Sequence, residues 1–305
     1  MEEFRSFVRS NVCLADYVRL GVGGTVEYFA EPESELQLLS LLQYCRKRNI
    51  PARVIGAGSN ILVPDKGVAG VVISLNKPAF CDISSGGKGS QPLITAGAGV
   101  RLALFITEAV SLGFGGVEGL IGIPGTVGGA LCDNAGSSND NIGEWIESVR
   151  IANLDGTISV LSKDEITFEY RSSSLDAGVI LTATFRLESG DESELLKRMQ
   201  KFWIVRKSQQ PCSDQHVIMA FNSTKTGASA SDLIEQVNLK GTRIGNAAIS
   251  EHNSNFIVIE QDANNNNNKK TERGIVDDVK RLIQLVQDRI LEKTEVEIEP
   301  ALRIW

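Results

Sequence analysis

Two stretches of this 305-residue chain are so rich in glycine that they restrict its architecture before any other feature is considered. The first is Gly56-Ala57-Gly58-Ser59-Asn60, continued by Ile61; the second is GLIGIPGTVGGA, which ends at Ala130. In the first, Gly56 and Gly58 are free to take positive φ, so successive backbone N–H groups can converge into an anion-binding concavity. Ser59 and Asn60 add side-chain donors. A short strand around Arg53 to Ile55 leads in, and Ile61-Leu62-Val63 leads on as apolar chain toward a second strand, Val71 to Leu75. That context excludes two commoner nucleotide loops. A Rossmann fingerprint needs a third glycine and a helix after the turn, and a Walker-type loop needs a lysine followed by Ser or Thr. On its own the segment is as compatible with a tight turn as with a phosphate site.

The second stretch shifts that balance. Pro124 and Gly125 suit the two central positions of a type II turn, and Gly128-Gly129 removes side chains where backbone must approach something closely. Gly122, Thr126 and Ala130 complete a small-residue run that Asn134, Ala135 and Gly136 extend. Two such loops carry enough N–H donors for a diphosphate without a lysine; the competing reading is a packed glycine-rich turn.

Composition narrows the class of ligand. A net charge of −7 with both signs interspersed argues against a nucleic-acid groove and for small-molecule chemistry. With 42% hydrophobic residues the chain can bury a core without disulfides or a metal. Cys13, Cys45, Cys81, Cys132 and Cys212 are scattered, never in the close pairs of zinc or redox motifs, which points to a reducing cytoplasm. Only His216 and His252 offer imidazole, and both read as polar loop residues. No apolar run reaches the roughly 18 to 20 residues of a membrane span. The oligomeric state stays open, a monomer being compatible with everything in the chain.

Hydrophobic periodicity predicts an α+β fold. A helix opens at Ser34, with Gln37 three residues on as in a capping box, and ends by Asn49. Further helices are expected over Arg101 to Leu112, Ser193 to Arg206 and Ser229 to Val237, the last with Ser229 and Asp232 at capping spacing. Strands are expected around Ser148 to Ala152, Ile158 to Leu161, Val179 to Leu187 and Asn255 to Glu260. From Ile275 the residues Val279, Leu282, Ile283, Val286 and Ile290 form one apolar stripe, the strongest helix signal in the chain. Surface loops are expected at SSGGKGSQP and at DANNNNNKKTE.

IGAGSNILV, GLIGIPGTVGGALCDNAG, Tyr170-Arg171-Ser172 and SDLIEQVNLKGTRIG followed by NFIV stand in the order found in UDP-N-acetylenolpyruvoylglucosamine reductases, and the chain resembles that family over nearly its whole length. The resemblance implies an FAD-binding fold of the vanillyl-alcohol-oxidase type, with FAD held non-covalently by the two glycine loops. It also implies NADPH as reductant, a UDP-sugar substrate and a place in peptidoglycan precursor synthesis. It implies three parts: residues 1–75 and 76–205 binding FAD, and 206–300 binding substrate, with 301–305 returning to the first. Arg171 matches the family's catalytic arginine, whose guanidinium fork suits a carboxylate, with Tyr170 and serines 172 to 174 to orient it.

The chain departs from the family elsewhere. The proton-donor position falls on Met219 when Phe221 is aligned, and on Ala220 by an ungapped count from Leu233; neither side chain carries a transferable proton. The family's substrate-touching Lys and Asn become Asn222 and Ser223, and its C-terminal glutamate becomes Ala301, with Glu299 two residues away. Gly21 stands where many relatives have arginine, and Asn253 where many have histidine. With only Tyr17, Tyr28, Tyr44 and Tyr170, the chain resembles the form lacking a tyrosine-bearing substrate loop. Two readings follow: the reductase itself, or a flavin- or UDP-sugar-binding paralogue without turnover. A sugar or alcohol oxidase of the same fold would need a base near the flavin, and no histidine stands in the motifs.

Overall fold

Two hydrophobic clusters organise the chain into two units, one made of Met1–Val12, Glu27–Ala57 and Ala69–Arg206, the other of Cys13–Val26, Gly58–Val68 and Lys207–Trp305. The structure, a computed structural model, describes residues 1–86, 92–137, 140–211, 216–224, 227–260 and 274–305. The asparagine-rich tract and residues 87–91 of the Ser/Gly/Lys patch lie outside the described residues.

In the first unit α1 (Glu35–Lys47) starts where the sequence predicts, because Ser34 Oγ accepts a hydrogen bond from Gln37 N at 3.3 Å. Gln37 Oε1 accepts from Glu33 N at 2.7 Å instead of from Ser34, so the reciprocal half of the box closes one residue upstream. Leu38, Leu41, Leu42 and Cys45 form the helix's buried face, and burial pushes the Cys45 thiol up to about 11, which makes it a packing residue. A four-stranded sheet runs in the order Val8–Cys13, Thr25–Ala30, Val68–Ser74, Ala52–Ile55, the last two parallel with Ala52 opposite Val71. A five-stranded antiparallel sheet follows the order Ile158–Ser162, Ile146–Ala152, Val179–Arg186, Leu93–Gly97, Ile83–Gly86. Helix α2 (Leu102–Ser111) lies against it, with the Phe105 and Phe185 rings 4.4 Å apart. The glycine-rich stretch is not all loop: its end winds into a short helix, α3 (Val127–Cys132). Helix α4 (Glu192–Gln209) closes this part of the chain and outruns its predicted end.

The second unit packs α5 (Ala230–Gln236) and α6 (Ile275–Thr294) with an antiparallel sheet ordered Val217–Met219, Phe256–Ile259, Ala247–Ile249, Arg243–Ile244. Ser229 sits at the N-cap of α5 but makes no capping bond, against the sequence expectation. The whole predicted stripe of α6 is buried, each such side chain being worth about 1.5 to 3 kcal/mol. The α6 N-terminus is capped from far away: Asp65 Oδ2 accepts from Val276 N at 3.1 Å and Asp277 N at 3.2 Å. The last residues, Arg303–Ile304, lie parallel to Ile61–Leu62. Among the described residues no helix is long and apolar enough to cross a membrane, and no cluster of His, Cys, Asp and Glu suits a metal ion.

Candidate active site

The first unit joins the two glycine motifs directly. A Cβ on Gly56 would stand 2.6 Å from Thr126 Oγ1, so glycine is required there for space, not for a left-handed backbone. Thr126 is also the N-cap of α3 and accepts from Gly129 N at 3.3 Å. Val127 N donates to Val100 O at 2.8 Å, Gly128 N to Ala98 O at 2.9 Å and Ala130 N to Thr126 O at 2.8 Å. The N–H groups of residues 127 to 130 are therefore bonded inside the protein, which leaves Gly128 and Gly129 the close-approach role that their lack of side chains predicts. Their role is close approach, since a Cβ on Gly128 would meet Ala98 Cβ at 2.9 Å. The bridge between Arg101 and Thr126 is closed by Leu102 N to Gly125 O, 3.1 Å, and Val127 N to Val100 O, which turns the Thr126 N–H away from Arg101. Gly125 has φ +153°, far from the roughly +80° of a type II turn.

The other half of the first motif belongs to the second unit. Gly58 has φ +61°, and a Cβ there would overlap Tyr17 O. Its carbonyl accepts from Arg19 N at 2.9 Å, and the Asn60 carbonyl accepts from Arg303 N at 2.9 Å. The loop is thus held from both flanks, by the segment before residue 20 and by the chain's end.

Tyr170 and Arg171 form the two-residue tip of a hairpin whose pairs are Glu169 with Ser172 and Phe168 with Ser173. Arg171 has φ +60°, a left-handed conformation that costs a non-glycine residue energy and marks a constrained tip. Among the described residues its buried Nε has no hydrogen-bond partner. Asn134, just after α3, locks the hairpin: its Nδ2 donates to Glu169 O at 3.0 Å while its Oδ1 accepts from Gly143 N at 3.1 Å. Serines 173 and 174 do not orient the guanidinium as anticipated. Ser173 Oγ donates to Cys132 O at 3.3 Å, and Ser174 Oγ accepts from Thr167 N at 3.1 Å.

A second guanidinium, not singled out in the sequence, lies nearby. Arg206 Nη2 donates to Gly119 O at 2.7 Å, and its Cδ would be 3.1 Å from a Cβ on Gly122. Burial pushes the Arg206 pKa down, Asp140 opposes that, and Arg171 pushes it down further. Two cations gathered this way, one with an orphaned buried N–H, suit an anionic group. Asp140 is raised by burial first, then by Glu144 and Glu118, with Arg206 lowering it. No local pattern in the sequence tied Arg206 to Gly119 or Gly122, because the pairing spans 87 residues. Arg206 against the glycine-rich turn, together with Arg171, suits the phosphate groups of FAD and the carboxylate of an acidic substrate.

In the second unit residues 220–222 pair antiparallel with 299–301: Ala301 N donates to Ala220 O and Asn222 N to Glu299 O, both at 2.9 Å. Ala220 N and Phe221 N both turn to Asn255, the first to its carbonyl and the second to its Oδ1 at 2.9 Å, so strict alternation breaks here. Ala220, Phe221, Ile298 and Leu302 are core residues, whereas Met219 and Ala301 are only half-buried and lie outside the core. Met219 is therefore the side chain available at the donor position. A Cβ on Gly21 would overlap the His216 ring, whose Nδ1 lies 3.2 Å from Leu20 O, so His216 occupies the space of a side chain at 21. Asn253 ties the loop to the end of α4 through Nδ2 to Gln209 O, 2.8 Å.

Known proteins resemble this chain over nearly its whole length. Residues 26–162 match an FAD binding domain, and 210–305 match the UDP-N-acetylenolpyruvoylglucosamine reductase C-terminal domain. The reductase of Rhodopirellula baltica is 34% identical over 304 residues, covering 100% of this chain and 94% of that one. That of Parasynechococcus marenigrum is 35% identical over 303 residues, covering 98% and 96%. The crystal structure of the Thermus caldophilus reductase superposes with a TM-score of 0.79 at 32% identity, covering 98% of this chain and 100% of the other. An FAD-binding fold and a flavoprotein oxidoreductase are thereby established. On full-length similarity the chain belongs to the UDP-N-acetylenolpyruvoylglucosamine reductase family.

Proposed function

We propose that the protein reduces UDP-N-acetylglucosamine enolpyruvate to UDP-N-acetylmuramate with NADPH, in the cytoplasm, as a step of peptidoglycan precursor synthesis. The observation that carries the reading is Arg171: a guanidinium on a constrained hairpin tip whose buried Nε has no hydrogen-bond partner among the described residues. FAD, when bound, would supply the chemistry of hydride transfer between NADPH and the enolpyruvyl double bond. Charge that develops on the adjoining carboxylate is met by Arg171, and a preformed cation there needs no reorganisation as the reaction proceeds. Gly56, Ala57, Gly58, Ser59, Asn60 and Ile61, with Gly122, Pro124, Gly125, Thr126, Gly128, Gly129 and Ala130, form the FAD-binding surface. Within it the glycines act by leaving room and the Thr126 N–H acts as donor. Residues 1–75 and 76–205 serve the cofactor and 206–300 the UDP-sugar. The proton for the second carbon comes from water or from Ser223, since Met219 has none to give.

The experiment is anaerobic. The purified flavoprotein is reduced with NADPH and mixed with UDP-N-acetylglucosamine enolpyruvate, and the flavin absorbance is followed. Reoxidation within turnover time supports the reductase. Met219 and Ala301 favour the second reading, a flavin- or UDP-sugar-binding paralogue, and stable reduced flavin in the presence of bound substrate selects it. Protein that takes up no FAD sinks both.

A further inference from the structure

Helix α4 is covered along one narrow edge only. Of its 18 residues Leu195 is buried, Met199 and Arg206 are half-buried, and the rest are exposed. Those three lie four and eleven residues apart from the first, which puts them on one side of the helix. The sequence nevertheless runs Phe202-Trp203-Ile204-Val205 near the helix end, and these side chains are 44% to 61% exposed, Ile204 the most. Four consecutive residues span a full helical turn, so the apolar groups project to more than one side. Leu196, also exposed, shares the side of Trp203 and Ile204. Cations surround this turn. Lys197, Arg198, Lys201, Arg206 and Lys207 fall within residues 197–207, which hold no carboxylate. Arg206 is committed to Gly119 O at 2.7 Å. Lys197 and Arg198 pair with Glu194 and Glu118, yet both side chains stay more than half exposed.

Exposed aromatic and aliphatic side chains among lysines and arginines are the composition of a helix at a membrane interface. There the apolar groups enter the headgroup boundary and the cations meet lipid phosphates. A flat protein face touches one side of a helix, whereas fluid lipid receives side chains that project from several sides of a turn. Charge disfavours a second copy of this chain as the occupant: paired antiparallel about residues 202–205, it would set Lys201 of each copy near Arg206 of the other. The net charge of −7 repels an anionic bilayer, so docking there depends on a local basic face such as this one. We propose that the C-terminal half of α4 docks the protein peripherally on an anionic lipid bilayer, with Trp203 and Ile204 entering the interface and Lys197 and Lys201 meeting lipid phosphates.

The test is co-sedimentation of the full-length, FAD-loaded protein with vesicles of phosphatidylcholine alone and of phosphatidylcholine and phosphatidylglycerol in equal parts, at low and high salt. Wild type binds the anionic vesicles, is released by salt and leaves the neutral vesicles in the pellet without it. Ile204→Asp weakens binding about 10-fold or more, because it removes an inserted side chain and adds a charge. Lys201→Glu weakens it about 5-fold or more, the contribution of a cation near the surface. Both positions are exposed, so flavin content and melting temperature stay at the wild-type values. Lys47→Glu, a charge change of the same size at the basic end of α1, leaves binding unchanged. The proposal is overturned if wild type ignores the anionic vesicles, or if Ile204→Asp binds as wild type does. It is also overturned if Lys47→Glu loses as much as Lys201→Glu, which would mark a general attraction with no docking face. Sedimentation equilibrium decides the alternative occupant: a dimer that Ile204→Asp dissolves, without vesicle binding, assigns the face to a second copy and overturns the proposal as well.

Discussion

Arg171 carries its guanidinium on a backbone that side-chain-bearing residues rarely adopt, and Asn134 holds that backbone from below. Replacing Arg171 with alanine therefore removes the charge without loosening the hairpin. The expected result is a fall of about 10²- to 10³-fold in substrate-driven flavin reoxidation with an unchanged flavin spectrum, measured by stopped flow. Asp140 allows a prediction on pH. Its pKa is raised in the folded protein, chiefly by burial, so folding disfavours its ionised form. Stability from this group is full below the unfolded value of 3.8 and is lost as pH rises through the higher folded value. Asp140→Asn is accordingly expected to melt above wild type at pH 7, with the advantage shrinking as pH falls below 4, checked by thermal melts across pH.

At the scale of elements, two devices join distant parts of the chain and neither is helical propensity. Gly56 leaves room for Thr126, whose hydroxyl caps α3. Gly56→Ala displaces that hydroxyl, at a cost of about 1 kcal/mol for the cap, and disturbs the loop around it. The protein should purify with less flavin, read from the ratio of flavin to protein absorbance. Asp65 caps α6 through two backbone N–H groups. Asp65→Ala is expected to destabilise by about 0.5 to 2 kcal/mol in a urea melt while leaving the flavin spectrum intact. The α6 stripe was readable because 3.6-residue periodicity is local, whereas its cap was not, because Asp65 lies more than 200 residues away and the N-cap position itself is Gly274. Ser229 shows the converse: correct spacing for a cap, but no capping bond, since nothing local decides whether the side chain turns inward.

Across the whole molecule the chain passes between its two units five times, at residues 12/13, 26/27, 57/58, 68/69 and 206/207, so segments remote in sequence share one unit. The pairing of 220–222 with 299–301 is one result, and it sets Ala301 opposite Ala220, the residue that follows Met219. Met219→Ser combined with Ala301→Glu should raise the rate of substrate-driven reoxidation by about 10²- to 10⁴-fold if proton delivery limits turnover, with little change from either alone, as measured by anaerobic stopped flow. The sequence by itself determined the α+β class, the two glycine loops and the Tyr170-Arg171 pair, because each depends on residue type and local spacing, and its resemblance to the family marked the departures at Met219, Asn222 and Ala301. Only the tertiary structure decided that Gly56 makes room for Thr126, that the N–H groups after Thr126 are already bonded, and that Arg206 joins Arg171. It also decided that Met219, not Ala220, lies outside the core, and that the Asn222 oxygen lacks a partner among the described residues. Those depend on which surfaces meet after long loops close, and no short-range pattern encodes that.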